Sequence, residues 1–125
     1  ARRLSEQRSG HAEPLNVCLQ IRLEDREGRG GCAPGQAADL AAGISELTGL
    51  RLRGLMAVPP VTGDPDEQRA WFRRLATLQA ALNATGLDLD TLSMGMSGDL
   101  ESAVAEGATI LRIGTAIFGP RAAAD

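Results

Sequence analysis

Four short apolar runs alternate with stretches of helical spacing, and that alternation constrains this chain more than any other feature. The runs are Asn16–Leu23, Leu50–Val58, Leu89–Met96 and Thr109–Ile113, and each reads as a buried strand. After the first, Pro34 suits an opening helical turn. Ala37, Leu40, Ala41, Ile44 and Leu47 then recur at helical spacing up to Gly49. After the second run, Pro59 and Pro60 stop the strand, and Asp64, Pro65 and Glu67 form a helix-start signature resembling a capping box. Trp71, Leu75, Leu78 and Leu82 follow at i, i+4, i+7 and i+11, predicting an amphipathic helix that ends near Gly86. After the third run, Ser97 and Gly98 break the strand, and Asp99–Glu106 puts Leu100, Ala103 and Val104 on one helical face before Gly107 ends it. Ala1–Arg8 reads as the tail of a helix, Ser9–Pro14 as a loop and Glu24–Gly31 as a charged loop at a strand end.

A β-α-β-α-β-α-β order with such connections makes a parallel sheet. Four strands give either an open α/β sheet or half of a (β/α)8 barrel. A full barrel takes about 250 residues, so a chain of 125 residues fits half of one. The whole, residues 1–125, reads as a single segment. Its first residue is Ala1, and all 13 basic residues are arginine; both features lead us to expect a piece of something longer.

Composition removes several function classes. The net charge of −3 and an aromatic share of 2% supply neither a basic footprint nor stacking platforms for nucleic acid. No apolar run reaches the roughly 18 residues a membrane helix needs, and no signal-peptide pattern is present, so a cytoplasmic location is expected. His11 is the sole histidine, which removes a Ser-His-Asp site and a histidine-based metal site. Cys18, in a strand, and Cys32, before a helix, read as buried thiols without metal spacing. No GxGxxG follows the first strand, which argues against a dinucleotide site.

The stretch Leu92–Gly119 carries the chemistry. Serine, glycine and threonine gather at the C-terminal ends of its two strands, where backbone N–H groups and hydroxyls hold an anion well. In (β/α)8 barrels, phosphate commonly sits at the loops after the last two strands. Two roles fit Ser97: an anion ligand, or an ordinary N-cap of the helix that follows. Arg112, between Leu111 and Ile113, reads as a strand-borne charge in need of a partner.

Three motifs carry a family resemblance: Gly54-Leu-Met-Ala57; Leu92-Ser-Met-Gly-Met-Ser97 with Asp99-Leu-Glu101; and Arg112-Ile-Gly-Thr-Ala-Ile-Phe-Gly119. Together they resemble the YggS/PROSC type of pyridoxal 5'-phosphate (PLP) homeostasis protein, related to the N-terminal barrel domain of alanine racemase. The resemblance runs from Leu15 to Arg121 and matches the C-terminal half of that family's barrel. It implies an α/β fold of parallel β-α repeats forming half of a TIM-type barrel, with PLP at the C-terminal face. The phosphate would lie between Ser93, Ser97, Gly114 and Thr115. Arg112 would face the pyridine nitrogen, with Met56 and Met94 as apolar walls. The family's Schiff-base lysine lies in the half that is absent, and this chain has no lysine. Gln20-Ile21-Arg22 stands where the family usually has Gln-Val-Asn, and Arg29 where a lysine is common.

Three functions follow from these readings. The first is PLP binding in vitamin B6 homeostasis, with PLP as partner and no catalytic residue or metal in this chain. The second is a PLP-dependent amino-acid racemase, whose lysine and tyrosine bases would have to come from elsewhere. The third is a structural half-barrel that binds no PLP and pairs with the missing half or a second copy. No nucleic-acid or membrane partner is expected.

Overall fold

A computed structural model describes residues 1–8, 10, 12–26 and 28–123. His11 and Glu27, on which parts of the loop readings fall, lie outside the described residues. The elements in order are α1 (Arg2–Gln7), β1 (Leu15–Gln20), a single 3-10 turn (Pro34–Gln36), α2 (Ala37–Ser45), β2 (Leu50–Met56), α3 (Pro65–Ala84), β3 (Thr91–Ser93), α4 (Leu100–Ala105) and α5 (Thr115–Phe118). The three strands form one parallel sheet in the order β1-β2-β3. The alternation of strand and helix thus appears as a parallel α/β fold.

The fourth run is reduced to one bridge, Ser93 with Ile110. It still lies along β3: Ile110 N–H donates to Leu92 O, Met94 N–H to Ile110 O and Arg112 N–H to Gly95 O. Gly95 sits at φ +100°, which turns β3 out of the extended conformation before a longer ladder can form. The same turn ends the third strand at Ser93, well short of Met96.

The core lies between the helices and one face of the sheet. Ile21, Leu52, Leu55, Phe72, Leu75, Leu82, Leu92 and Met94 form its centre. Strand pleating puts alternate residues on opposite faces. Val17 and Leu19 of β1 therefore pack on this core while Cys18 between them is exposed. That corrects the expectation of a buried Cys18, and Cys32 is only half-buried.

Helix α3 is capped as its first residues predict, with the Asp64 carboxylate accepting the Asp66 N–H at 3.0 Å. Glu67 does not close a capping box; its carboxylate takes the Thr62 hydroxyl at 2.7 Å. The buried face of α3 is Gln68, Phe72, Leu75, Gln79 and Leu82, so it is rotated from the face that Trp71 and Leu78 mark. Trp71 is half-buried at the edge of the core, with the Arg74 guanidinium 4.7 Å from its ring. Among the described residues no helix is long and apolar enough to cross a membrane.

Candidate functional site

The C-terminal ends of β2 and β3 converge on Arg112. Its Nη1 donates to Ser93 O at 2.9 Å and Ser93 Oγ at 2.6 Å, and its Nη2 to Ala57 O at 2.9 Å. A guanidinium has five N–H donors in a fixed fork. Three bonds account for both hydrogens of Nη1 and one of Nη2, which leaves Nε–H and one Nη2–H. The partner that the sequence expects for this arginine is therefore a set of neutral oxygens. Every described ion pair lies elsewhere, on Arg53, Arg69 and Arg73, so Arg112 is not ion-paired among the described residues, although the Asp99 carboxylate lines the same cavity.

That cavity has a volume of about 750 Å³. Ser97, Arg112, Gly114 and Thr115 line it, and so do Val58, Val61, Gln68, Asp99, Phe118 and Arg121. Ser97 Oγ accepts the Ala116 N–H at 3.0 Å, across to the first turn of α5. It makes no bond to α4. The residue at that cap is Asp99, whose carboxylate folds back to accept the Met96 N–H at 2.7 Å. Ser97 is thus a bridge between two loops rather than the cap of its own helix. The amides of Gly114 and Thr115 have no acceptor among the described residues and stand on the same side as Ser97.

The remaining expected residues divide by strand face. Met56 and Ser93 are paired across β2 and β3, and Gln20 of β1 stands in the same row. Their neighbours Leu55, Ala57, Leu92 and Met94 belong to the core, so Met56 and Ser93 take the other face, where Ser93 meets Arg112. Neither lines the cavity itself; Ser93 is buried beneath it and Met56 is half-buried. Met94 is 0% exposed and packs with the helices. The pleat that turns Ser93 toward Arg112 turns Met94 away, and it forms no wall of the cavity.

Residue spacing did not single out Gln68, Val61, Thr62, Phe118 or Arg121, all of which reach the cavity. The one available signal was position. Thr62 and Val61 follow a strand terminated by two prolines, at the sheet end where ligands gather in such folds. Helix α5 is announced by no helical spacing in the sequence, where Gly114 and Thr115 stand out only as part of the strand-end cluster.

The chain is 54% identical over 121 residues to the pyridoxal phosphate homeostasis protein of Pseudomonas aeruginosa, covering 97% of this chain and 51% of that one. It is 45% identical to the protein of the same name from Escherichia coli K12, covering 97% and 52%. The chain therefore spans about half the length of these curated relatives. Among solved structures it resembles PipY of Synechococcus elongatus with PLP bound, at 39% identity and a TM-score of 0.73, over 83% of this chain and 49% of that one. The family model of the alanine racemase N-terminal domain matches residues 1–122. This chain belongs to the alanine racemase N-terminal domain family.

Proposed function

We propose that this chain carries the phosphate grip of a PLP-binding protein that serves PLP homeostasis. The observation that carries the reading is Arg112, fixed by three neutral hydrogen bonds at a cavity whose other wall is Ser97, Gly114 and Thr115. Open amides and a hydroxyl suit an oxyanion, and the fixed Arg112 guanidinium beside them suits an electron-rich ring nitrogen. The PLP-bound state of PipY and the names of the homologous proteins support PLP as the group that brings it.

In this reading the phosphate takes the amides of Gly114 and Thr115 and the hydroxyls of Ser97 and Thr115. Arg112 faces the pyridine nitrogen across the row of Met56 and Ser93. PLP supplies an aldehyde and an electron-withdrawing ring. The guanidinium disfavours a proton on the ring nitrogen, because two cations would face each other. That weakens the ring as an electron sink, which favours holding the cofactor over racemising an amino acid. With no lysine or tyrosine in the chain, this segment contributes binding and orientation, and no proton-transfer base of the racemase type.

We also infer that the sheet is the C-terminal half of a (β/α)8 barrel. The chain's span of its relatives supports this, as does the outer edge of β1. There, no described strand pairs with β1 on the side away from β2, and only Gln20 O and Arg22 N–H are met, by Cys32.

A PLP titration followed by absorbance, with and without borohydride, tests the function. The expected result is reversible binding with the spectrum of the free aldehyde and no lysine adduct from this chain. Thr115→Val and Ser97→Ala should each weaken binding about tenfold, the scale of a hydrogen bond to a charged group. Wild-type protein that fails to bind PLP overturns the reading.

A further inference from the structure

Gln68 lies in the first turns of α3, is 9% exposed and reaches the cavity wall. Its Nε2 donates to Thr62 O at 2.8 Å and to Gly98 O at 3.4 Å, and its Oε1 accepts the Ser102 hydroxyl at 2.7 Å. One side-chain amide therefore joins three segments: the loop after β2, the loop after β3 and helix α4. Packing alone does not call for an amide here, since Phe72 and Leu75 one turn on fill the same interface with apolar groups. A buried amide is costly unless its donors and acceptor are used, and Gln68 uses both hydrogens and its oxygen. Gly98 is the neighbour of Ser97, so the bond to Gly98 O fixes the base of the loop that presents the Ser97 hydroxyl.

We propose that Gln68 is a positioning residue for phosphate: it clamps the Ser97 loop to the Thr62 loop and so sets where Ser97 stands relative to α5. This rests on the PLP reading above, and it assigns the preorganisation of that grip to a side chain that touches no ligand. A clamp of this kind acts on the loop that holds the phosphate, whereas the ring in that reading lies over Met56 and Ser93, which Gln68 does not touch.

The test compares PLP with pyridoxal, the same ring without phosphate, on wild type, Gln68→Met and Ser102→Ala. Methionine keeps the volume but supplies neither donor, leaving Thr62 O and Gly98 O unpartnered. Gln68→Met is expected to weaken PLP about five- to tenfold, the worth of one or two net hydrogen bonds, and Ser102→Ala about two- to threefold. Pyridoxal affinity should change less than about twofold in both. Amide exchange at Ser97 and Gly98 should accelerate in Gln68→Met.

Equal losses for PLP and pyridoxal would mean that Gln68 only packs, and unchanged PLP affinity would likewise overturn the clamp. Should Gln68→Met not fold, Ser102→Ala carries the same PLP-to-pyridoxal comparison. A wild type that binds PLP no better than pyridoxal removes the phosphate reading itself, and with it the ligand role of the clamp. Exchange at Ser97 and Gly98 still reports whether the two loops are coupled, so the two failures are distinguishable.

Discussion

At Gly54 the chain has no room for a side chain. A Cβ built there would fall on the Thr91 carbonyl oxygen of the neighbouring strand. The register between β1 and β2 slips by one residue just before it, so Val17 pairs with Leu52 and Cys18 with Gly54. A slip of this kind leaves a backbone group over, and here Gln79 Oε1 accepts the Leu55 N–H at 3.1 Å. Gly54→Ala must separate β2 from β3 where their ladder begins, two to three residues before the Ala57 and Ser93 oxygens that Arg112 holds. It is expected to cost on the order of 4 kcal/mol or to prevent folding, as a denaturant melt of the soluble fraction would measure. Nothing in residue spacing announces this contact. Gly54 was legible only as part of a motif, because its constraint comes from a strand 37 positions away whose register no local pattern encodes. Arg112 is more legible: an arginine between two apolar residues must find oxygens, and it does, although the strand expected around it is reduced to the bridge at Ile110.

Among elements, the longer helices are legible in the sequence, whereas the short strands and α5 are not. Helix α3 announces itself by Asp64, Pro65 and an apolar period, and it runs from Pro65 to Ala84. Its buried face was mistaken by about one residue because Gln68 and Gln79 look like surface and are core. Polar residues bury when the backbone opposite has groups to satisfy, and sequence does not display those groups. Asn83 shows the same logic at the end of α3. Its Nδ2 donates to Leu89 O at 2.9 Å and its Oδ1 accepts the Leu89 N–H at 2.8 Å, so a side chain pairs with the strand entry as another strand would. Asn83→Ala leaves both groups of a buried residue without that partner and should cost about 2 kcal/mol by chemical denaturation. Asn83→Asp keeps the acceptor and should lose less when protonated than when charged. The fourth strand, by contrast, shrinks to a single bridge because Gly95 turns away, a backbone event that the apolar run Thr109–Ile113 cannot report.

Across the whole molecule, charge ties the repeats together on the outside while the cavity keeps its own. Glu106, at the end of α4, accepts from Arg69 at 2.8 Å and from Arg73 at 2.9 Å, joining α4 to α3, and these guanidinium groups hold its carboxyl below the usual range. Arg53 grips Asp90 with two bonds, 3.1 and 2.7 Å, across the entry to β3. That pair, helped by the Thr91 hydroxyl, brings Asp90 from 3.8 down to about 2. A carboxyl whose folded value lies below its unfolded value contributes stability above the unfolded value and loses it as pH falls toward the folded one. Stability should therefore decline between pH about 4 and about 2, and Asp90→Asn should flatten that decline in a series of melts at stepped pH. The Asp90 side chain is 57% exposed, so salt should shrink its effect, whereas Glu106 at 10% is screened less. The site as a whole was half legible. Ser97, Gly114 and Thr115 gather where strand-end chemistry predicts, whereas Met94 went to the core on the parity of one pleat, and Val61, Thr62 and Gln68 entered from a different loop.

The bond from Ala116 N–H to Ser97 Oγ has a directional consequence. Because the oxygen already receives a hydrogen from the backbone, its own proton has no described acceptor and is available to a ligand, and a hydroxyl that accepts on one side becomes a stronger donor on the other. The serine then works as an extension cord for the peptide dipole of α5, carrying positive potential one atom further into the cavity than the backbone could reach. A residue that reproduces the shape without the oxygen would leave the amide pointing at empty space, too far back to be felt.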